Sequence, residues 1–275
     1  MSEQSFPSTV TIAVTTPVLP GREKPIALVS LDSTDPNGLV IWGSQAMRDL
    51  QRELSAIDTT QVEAVVVTGN QKSFGAGANL KEIRAAQLSG TSDEYVGSGH
   101  DAFGVLAEMD VPTFSLITGV ALGGGLELAL HTDYRLSTSG KAPMGLPECH
   151  LGFFPGWGGV HLLPHLVGAE AALNIIVTDS MRGKNLNPAK AAEIGLVDAV
   201  LEGAPGSEQW DTSWQNWVVE VLEGKHEPRR TTEDAQTWDA AVQKAAAKAE
   251  QAWHGAAPGP VAAIELVGRA RTDSR

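Results

Sequence analysis

Two glutamates of this 275-residue chain stand beside glycine-rich turns. Glu127 lies in a helix-like stretch that opens on Gly123, Gly124 and Gly125, and Glu148 directly follows Pro147. The three glycines end an apolar run, residues 120–122, and a second small-residue turn, residues 74–78 (FGAGA), follows the strand-like run 64–69. Glycine lets backbone approach a ligand closely, and a helix start carries unpaired N–H donors with a favourable dipole. Two such turns can aim backbone N–H groups at one negatively charged oxygen, which makes an oxyanion hole. Two carboxyl groups beside it would supply a general acid and a general base. Against this stand plainer roles: Glu127 as the partner of Arg135 or His131, Glu148 as an exposed loop acid, and the glycines as a means of packing strand on helix.

The elements that must position these groups are legible in the pattern of apolar residues. Residues 9–14 and 26–31 cluster β-branched and apolar side chains and read as two adjacent strands. Ser44 reads as the cap of a helix whose apolar positions Met47, Leu50, Leu54 and Ile57 recur at helical spacing. Strands follow at 64–67, 113–117 and 134–137, with helices from Asn79 and from Gly124 between them. Such alternation implies mostly parallel strands with covering helices, an α/β protein. The segment 89–100 (SGTSDEYVGSGH) is small, polar and glycine-rich, and reads as a surface loop. After residue 206 helix formers and tryptophan dominate; Trp210, Trp214 and Trp217 make a stripe suited to a packing or subunit face. The boundary between a core, 1–205, and a helical C-terminal region, 206–275, falls near Pro205.

Three stretches together, 73–82 (SFGAGANLKE), 119–129 (GVALGGGLELA) and 145–159 (GLPECHLGFFPGWGG), resemble the crotonase (enoyl-CoA hydratase/isomerase) superfamily in order and spacing. Weaker similarity runs on through 188–197 (PAKAAEIGLV). The resemblance implies a spiral of ββα units with a helical C-terminal part that mediates trimer contacts, and hence a homotrimer or a dimer of trimers. It implies an acyl-CoA thioester substrate, with the backbone N–H groups of Ala78 and Gly124 as oxyanion donors. Glu127 matches the acid that orients water and Glu148 the acid that exchanges a proton with C2. Ala76, Lys81, Gly123 and Trp157 match substrate-contacting positions, and segment 89–100 corresponds to a region that borders the acyl pocket. The implied reaction is hydration of a 2-enoyl-CoA. A 3-enoyl to 2-enoyl-CoA isomerase and a crotonase-like acyl-CoA binding or scaffolding subunit are the alternatives. Asn79 departs from the family's usual Asp, and residues 32–38 replace a basic-proline entry that many members carry. From Trp238 to Arg271 the chain resembles the stretch that follows the hydratase domain in multifunctional β-oxidation proteins, where it leads towards a dehydrogenase domain. No dinucleotide fingerprint occurs, so that partner activity is expected on another chain or lost.

Composition narrows the choice further. A formal charge of −13 argues against nucleic acid and anionic membrane surfaces. Cations for an anionic ester must then be local, and Lys81 and Arg84 are the nearest to the Ala78 turn. No apolar run reaches membrane-span length and the first seven residues lack a signal pattern, so a cytoplasmic protein is expected. The single cysteine, Cys149, reads as a small buried hydrophobe. No metal-ligand spacing, P-loop or G-x-S-x-G elbow occurs, so no metal and no cofactor beyond the substrate's own CoA is expected.

Overall fold

The computed structural model describes residues 6–273; the first residues read for a signal pattern fall partly outside them. Among the described residues nine strands are arranged in two sheets. Strands β1 (Val10–Thr15), β2 (Ala27–Ser33), β3 (Val65–Thr68), β5 (Thr113–Ile117), β7 (Tyr134–Thr138) and β9 (Ala199–Leu201) make a six-stranded sheet in the order β1-β2-β3-β5-β7-β9. Strands β4 (Ser73–Gly75), β6 (Val120–Leu122) and β8 (Met144–Gly145) make a three-stranded one. Of these strands only β1 and β2 pair antiparallel; the other strand–strand pairings are parallel. Each pair β3–β4, β5–β6 and β7–β8 thus gives one strand to each sheet. Helices α2 (Leu80–Ser89) and α3 (Ser92–Ala107) follow the first pair, and α4 (Gly124–Leu130) follows the second. This is the spiral of ββα units that the resemblance implied.

The large sheet is buried on both faces, as parallel sheets are. Val65 and Val67 face the main core, while Val66, Phe114, Leu116, Tyr134 and Leu136 belong to a second core on the opposite face. That second face is covered by α8 (Glu208–Leu222), which buries Trp210, Trp214, Val218 and Val221 there. Trp217 stacks on His226 and meets Phe114 and Tyr134 edge-on. The tryptophan stripe is therefore a packing face within the chain. Helices α9 (Ala235–Trp253) and α10 (Pro258–Ala270) join the main core through Trp238, Ala249, Ile264 and Val267. Among the described residues no helix is long and apolar enough to cross a membrane.

Three local expectations are corrected. Segment 89–100 is mostly helix: α3 buries Tyr95, Gly99, Ala102, Phe103 and Leu106 along one stripe. A glycine inside a helix costs about 1 kcal/mol, and burying Tyr95, Phe103 and Leu106 outweighs Gly97 and Gly99. Ser44 is not a cap, because helix α1 (Ser44–Ser55) is preceded by Gly43 with extended backbone. Instead, the Ser44 N–H and hydroxyl both donate to Oε2 of Glu82, at 2.8 Å each. Ile57 lies past the end of α1, which leaves Met47, Leu50 and Leu54 as its buried stripe.

Candidate active site

Two backbone turns meet where β4 and β6 end. Strand β4 pairs with β6, and helix α4 starts directly after β6. The contact is backbone on backbone: a Cβ at Gly125 would overlap the carbonyl of Gly75. Gly123 has a φ of +52°, a conformation that favours glycine, and a Cβ there would lie 2.6 Å from Oε1 of Glu148 and 3.6 Å from Cα of Gly77. Glycine at 123 thus lets the two turns and the Glu148 carboxyl share one small space.

The N–H of Gly124, first residue of α4, has no acceptor within its own helix. At the other turn, the Trp42 N–H donates to the Gly77 carbonyl (2.9 Å) and the Asn79 N–H donates to the Trp42 carbonyl (2.7 Å). Residue 78 sits between those two bonds in a parallel bridge, so its own N–H points away from the Trp42 segment. The neighbouring Ala76 N–H is already donated to Val40 (2.7 Å). Lys81 and Arg84 are exposed on α2.

Both glutamates are buried, Glu127 to 1% and Glu148 to 6% exposure. Glu148 sits on a 3₁₀ turn, Pro147–Leu151, and is no exposed loop acid. Nor does Glu127 pair with Arg135, whose guanidinium is buried against Asp198 at 3.3 Å. The Glu127 carboxylate instead accepts two backbone N–H bonds on Oε1, from Trp157 (2.7 Å) and Gly159 (2.9 Å). His131 meets Glu127 through Nδ1, but at the backbone carbonyl, 2.8 Å away. In contrast, Oε2 of Glu148 is buried without a hydrogen-bond partner among the described residues.

The environments push the two acids apart. Burial raises Glu127 to about 7, and the Gly159 and Trp157 N–H bonds hold it back from rising further. Burial also raises Glu148 well above the ordinary carboxylate range, and the charge of Glu127 adds to this. Two carboxyls so placed titrate as a pair, with the proton resting on Glu148, whose Oε2 has no partner among the described residues. Cys149 is buried, and its thiol is pushed up to about 12 by burial and then by Glu148, so it stays a neutral hydrophobe.

Sequence reasoning missed the donors that hold Glu127. Their signal was the G-W-G-G run itself: Gly158, at φ +109°, turns the chain so that the N–H groups on either side of it converge on one oxygen. Asn79 also gains an explanation. Its side chain accepts from the Lys81 N–H to start α2 and donates through Nδ2 to Oε1 of buried Glu82 (3.0 Å). Glu82 in turn accepts both Ser44 bonds at the start of α1. An aspartate at 79 would set carboxylate against carboxylate. Asn79→Asp is expected to cost about 1–2 kcal/mol in urea unfolding at neutral pH, with the loss shrinking as acid protonates the new carboxylate; equal stability at pH 7 would refute this role.

A model of the enoyl-CoA hydratase/isomerase family matches residues 22–254. The chain belongs to that family. Among its relatives are the fatty acid oxidation complex subunits alpha of Shewanella halifaxensis, 34% identical over 217 residues, and Vibrio campbellii, 36% identical over 183. Those alignments cover 74% and 65% of this chain but 30% and 25% of the relatives, so the chain spans under a third of their length. Similar solved structures include Pseudomonas aeruginosa DspI, 27% identical with a TM-score of 0.63, covering 82% of this chain and 85% of that one. An enoyl-CoA hydratase from Bacillus anthracis is 26% identical with a TM-score of 0.63, covering 93% of this chain and 90% of the other.

Proposed function

We propose that this family member hydrates 2-enoyl-CoA thioesters to 3-hydroxyacyl-CoA. The observation that carries the reading is the inequality of the two buried glutamates: Glu127 has two N–H donors and Glu148 has an oxygen with none. Carboxyls whose surroundings separate their proton affinities are suited to opposite roles. In this reading Glu127 is the carboxylate and Glu148 carries the proton.

The Ala78 and Gly124 N–H groups receive the thioester oxygen, where negative charge builds as the reaction passes through an enolate-like state. Glu127 holds a water through Oε2, since Oε1 is occupied by its backbone donors. The water oxygen forms a bond to C3 while Glu127 takes the water's proton. The C2–C3 π electrons move onto the thioester, and Glu148 delivers its proton to C2. The cycle closes when one proton returns from Glu127 to Glu148. Moving a double bond along the chain shifts a proton from C2 to C4 and needs no water, so it is the water-holding role of Glu127 that separates the two reactions.

The pH dependence tests the assignment. With Glu127 near 7 in the free protein, kcat/KM for a 2-enoyl-CoA should fall as pH drops through about 7, because a protonated Glu127 cannot accept from water. Glu127→Gln should remove that acid limb and depress hydration more than any isomerisation of a 3-enoyl-CoA. Following the ultraviolet absorbance of the enoyl thioester measures both. Isomerisation without hydration in the parent protein would favour the isomerase, and acyl-CoA binding without turnover would favour a scaffolding subunit.

A further inference from the structure

The indole of Trp157 is wedged between two glycines on different helices. A Cβ at Gly99 of α3 would overlap Nε1 and Cδ1 of the ring, and a Cβ at Gly124 of α4 would overlap Cζ3 and Cε3. Phe103 packs edge-on against it at 5.7 Å and Tyr95 lies tilted at 5.7 Å, so the ring is 4% exposed. Tyr95 is itself anchored by its hydroxyl, which donates to the Trp42 carbonyl at 3.2 Å. The indole is thus packed against glycine backbone at both of its rings and against two aromatic side chains, and close packing of this kind holds a side chain in place.

We propose that Trp157 is the wall that ends the acyl pocket and restricts this protein to short acyl chains, with Gly99 as the device that seats it. The inference rests on the hydratase reading for the direction in which the chain lies. The thioester oxygen is at the Gly124 N–H, C2 faces Glu148 and C3 faces Glu127. Glu127 is held by the backbone of Trp157 and Gly159, so carbons beyond C3 head towards that segment. The Trp157 ring, lying against Gly124, stands there. Gly99 has no left-handed φ, and alanine is the better helix former at such a position. What glycine provides at 99 is the space that the indole occupies.

The test compares 2-enoyl-CoA esters of four and twelve carbons in the parent, Trp157→Ala and Trp157→Phe. Each methylene that a pocket accepts or refuses changes kcat/KM by roughly 10-fold or more. The parent should favour the four-carbon ester, and Trp157→Ala should raise the twelve-to-four-carbon ratio of kcat/KM by at least about 10²-fold. Trp157→Phe should fall between and preserves the fold if the alanine variant does not. Calorimetric binding of the saturated four- and twelve-carbon acyl-CoAs runs beside it and needs no turnover. If the parent hydrates nothing yet Trp157→Ala tightens only the longer ester, the hydratase reading fails and the wall stands. A parent that already favours twelve carbons, or a ratio unchanged in both variants by turnover and by binding, overturns the proposal.

Discussion

Glu148→Gln should lower turnover of a 2-enoyl-CoA by at least about 10²-fold, the scale of a lost general acid, while acyl-CoA binding stays close to that of the parent. Glutamine keeps the shape of the side chain but cannot give up a proton to C2. The same variant should be more stable than the parent at neutral pH. Burial and the nearby Glu127 raise Glu148 in the folded protein, whereas in the unfolded chain it titrates near 4.5. A group raised on folding contributes stability that is complete below the unfolded value and is lost as pH rises through the folded one. At pH 7 the parent therefore bears a penalty that the amide escapes, and the two proteins should converge below about pH 4.5. Turnover assays and thermal unfolding across pH check both halves. Near-normal turnover would remove Glu148 from the mechanism, and a less stable variant at pH 7 would contradict the electrostatic argument.

Gly125→Ala should have the largest effect on stability of any single-methyl addition near the site. The new Cβ would overlap the Gly75 carbonyl, and both partners are backbone, so no side chain can swing aside. Helix α4 would have to back away from β4, carrying Gly124 and Glu127 with it. Overpacking of this kind typically costs 1–3 kcal/mol and occasionally more; with backbone on both sides, about 3 kcal/mol is expected, together with loss of hydration. Urea unfolding and turnover of the folded fraction measure the two effects. Gly124 is a less selective probe, because any residue with a Cβ there also strikes Trp157. A Gly125→Ala protein with parental stability would show that α4 can move away from β4 at no cost.

The sequence by itself determined the alternation of strand and helix, the two glycine turns, the two acids and the family. Each is a local signal: apolar runs and helical stripes record burial, and glycines mark places where only bare backbone fits. The three motifs add up because their order along the chain is also the order in which successive turns of the spiral are laid down. Segment 89–100 was misread for the complementary reason. Its glycines and small polar residues are poor helix formers locally, and what makes it α3 is the burial of Tyr95, Phe103 and Leu106 against elements distant in sequence. Tertiary structure alone decided that Arg135 pairs with Asp198 and leaves Glu127 to the Trp157 and Gly159 backbone. It also decided that Glu148 comes to rest beside Gly123 with an unpaired oxygen. Sequence spacing fixes which residues share a strand or helix face. How two carboxyls divide one proton depends on burial and on donors from other segments, and these exist only once the chain has closed around them.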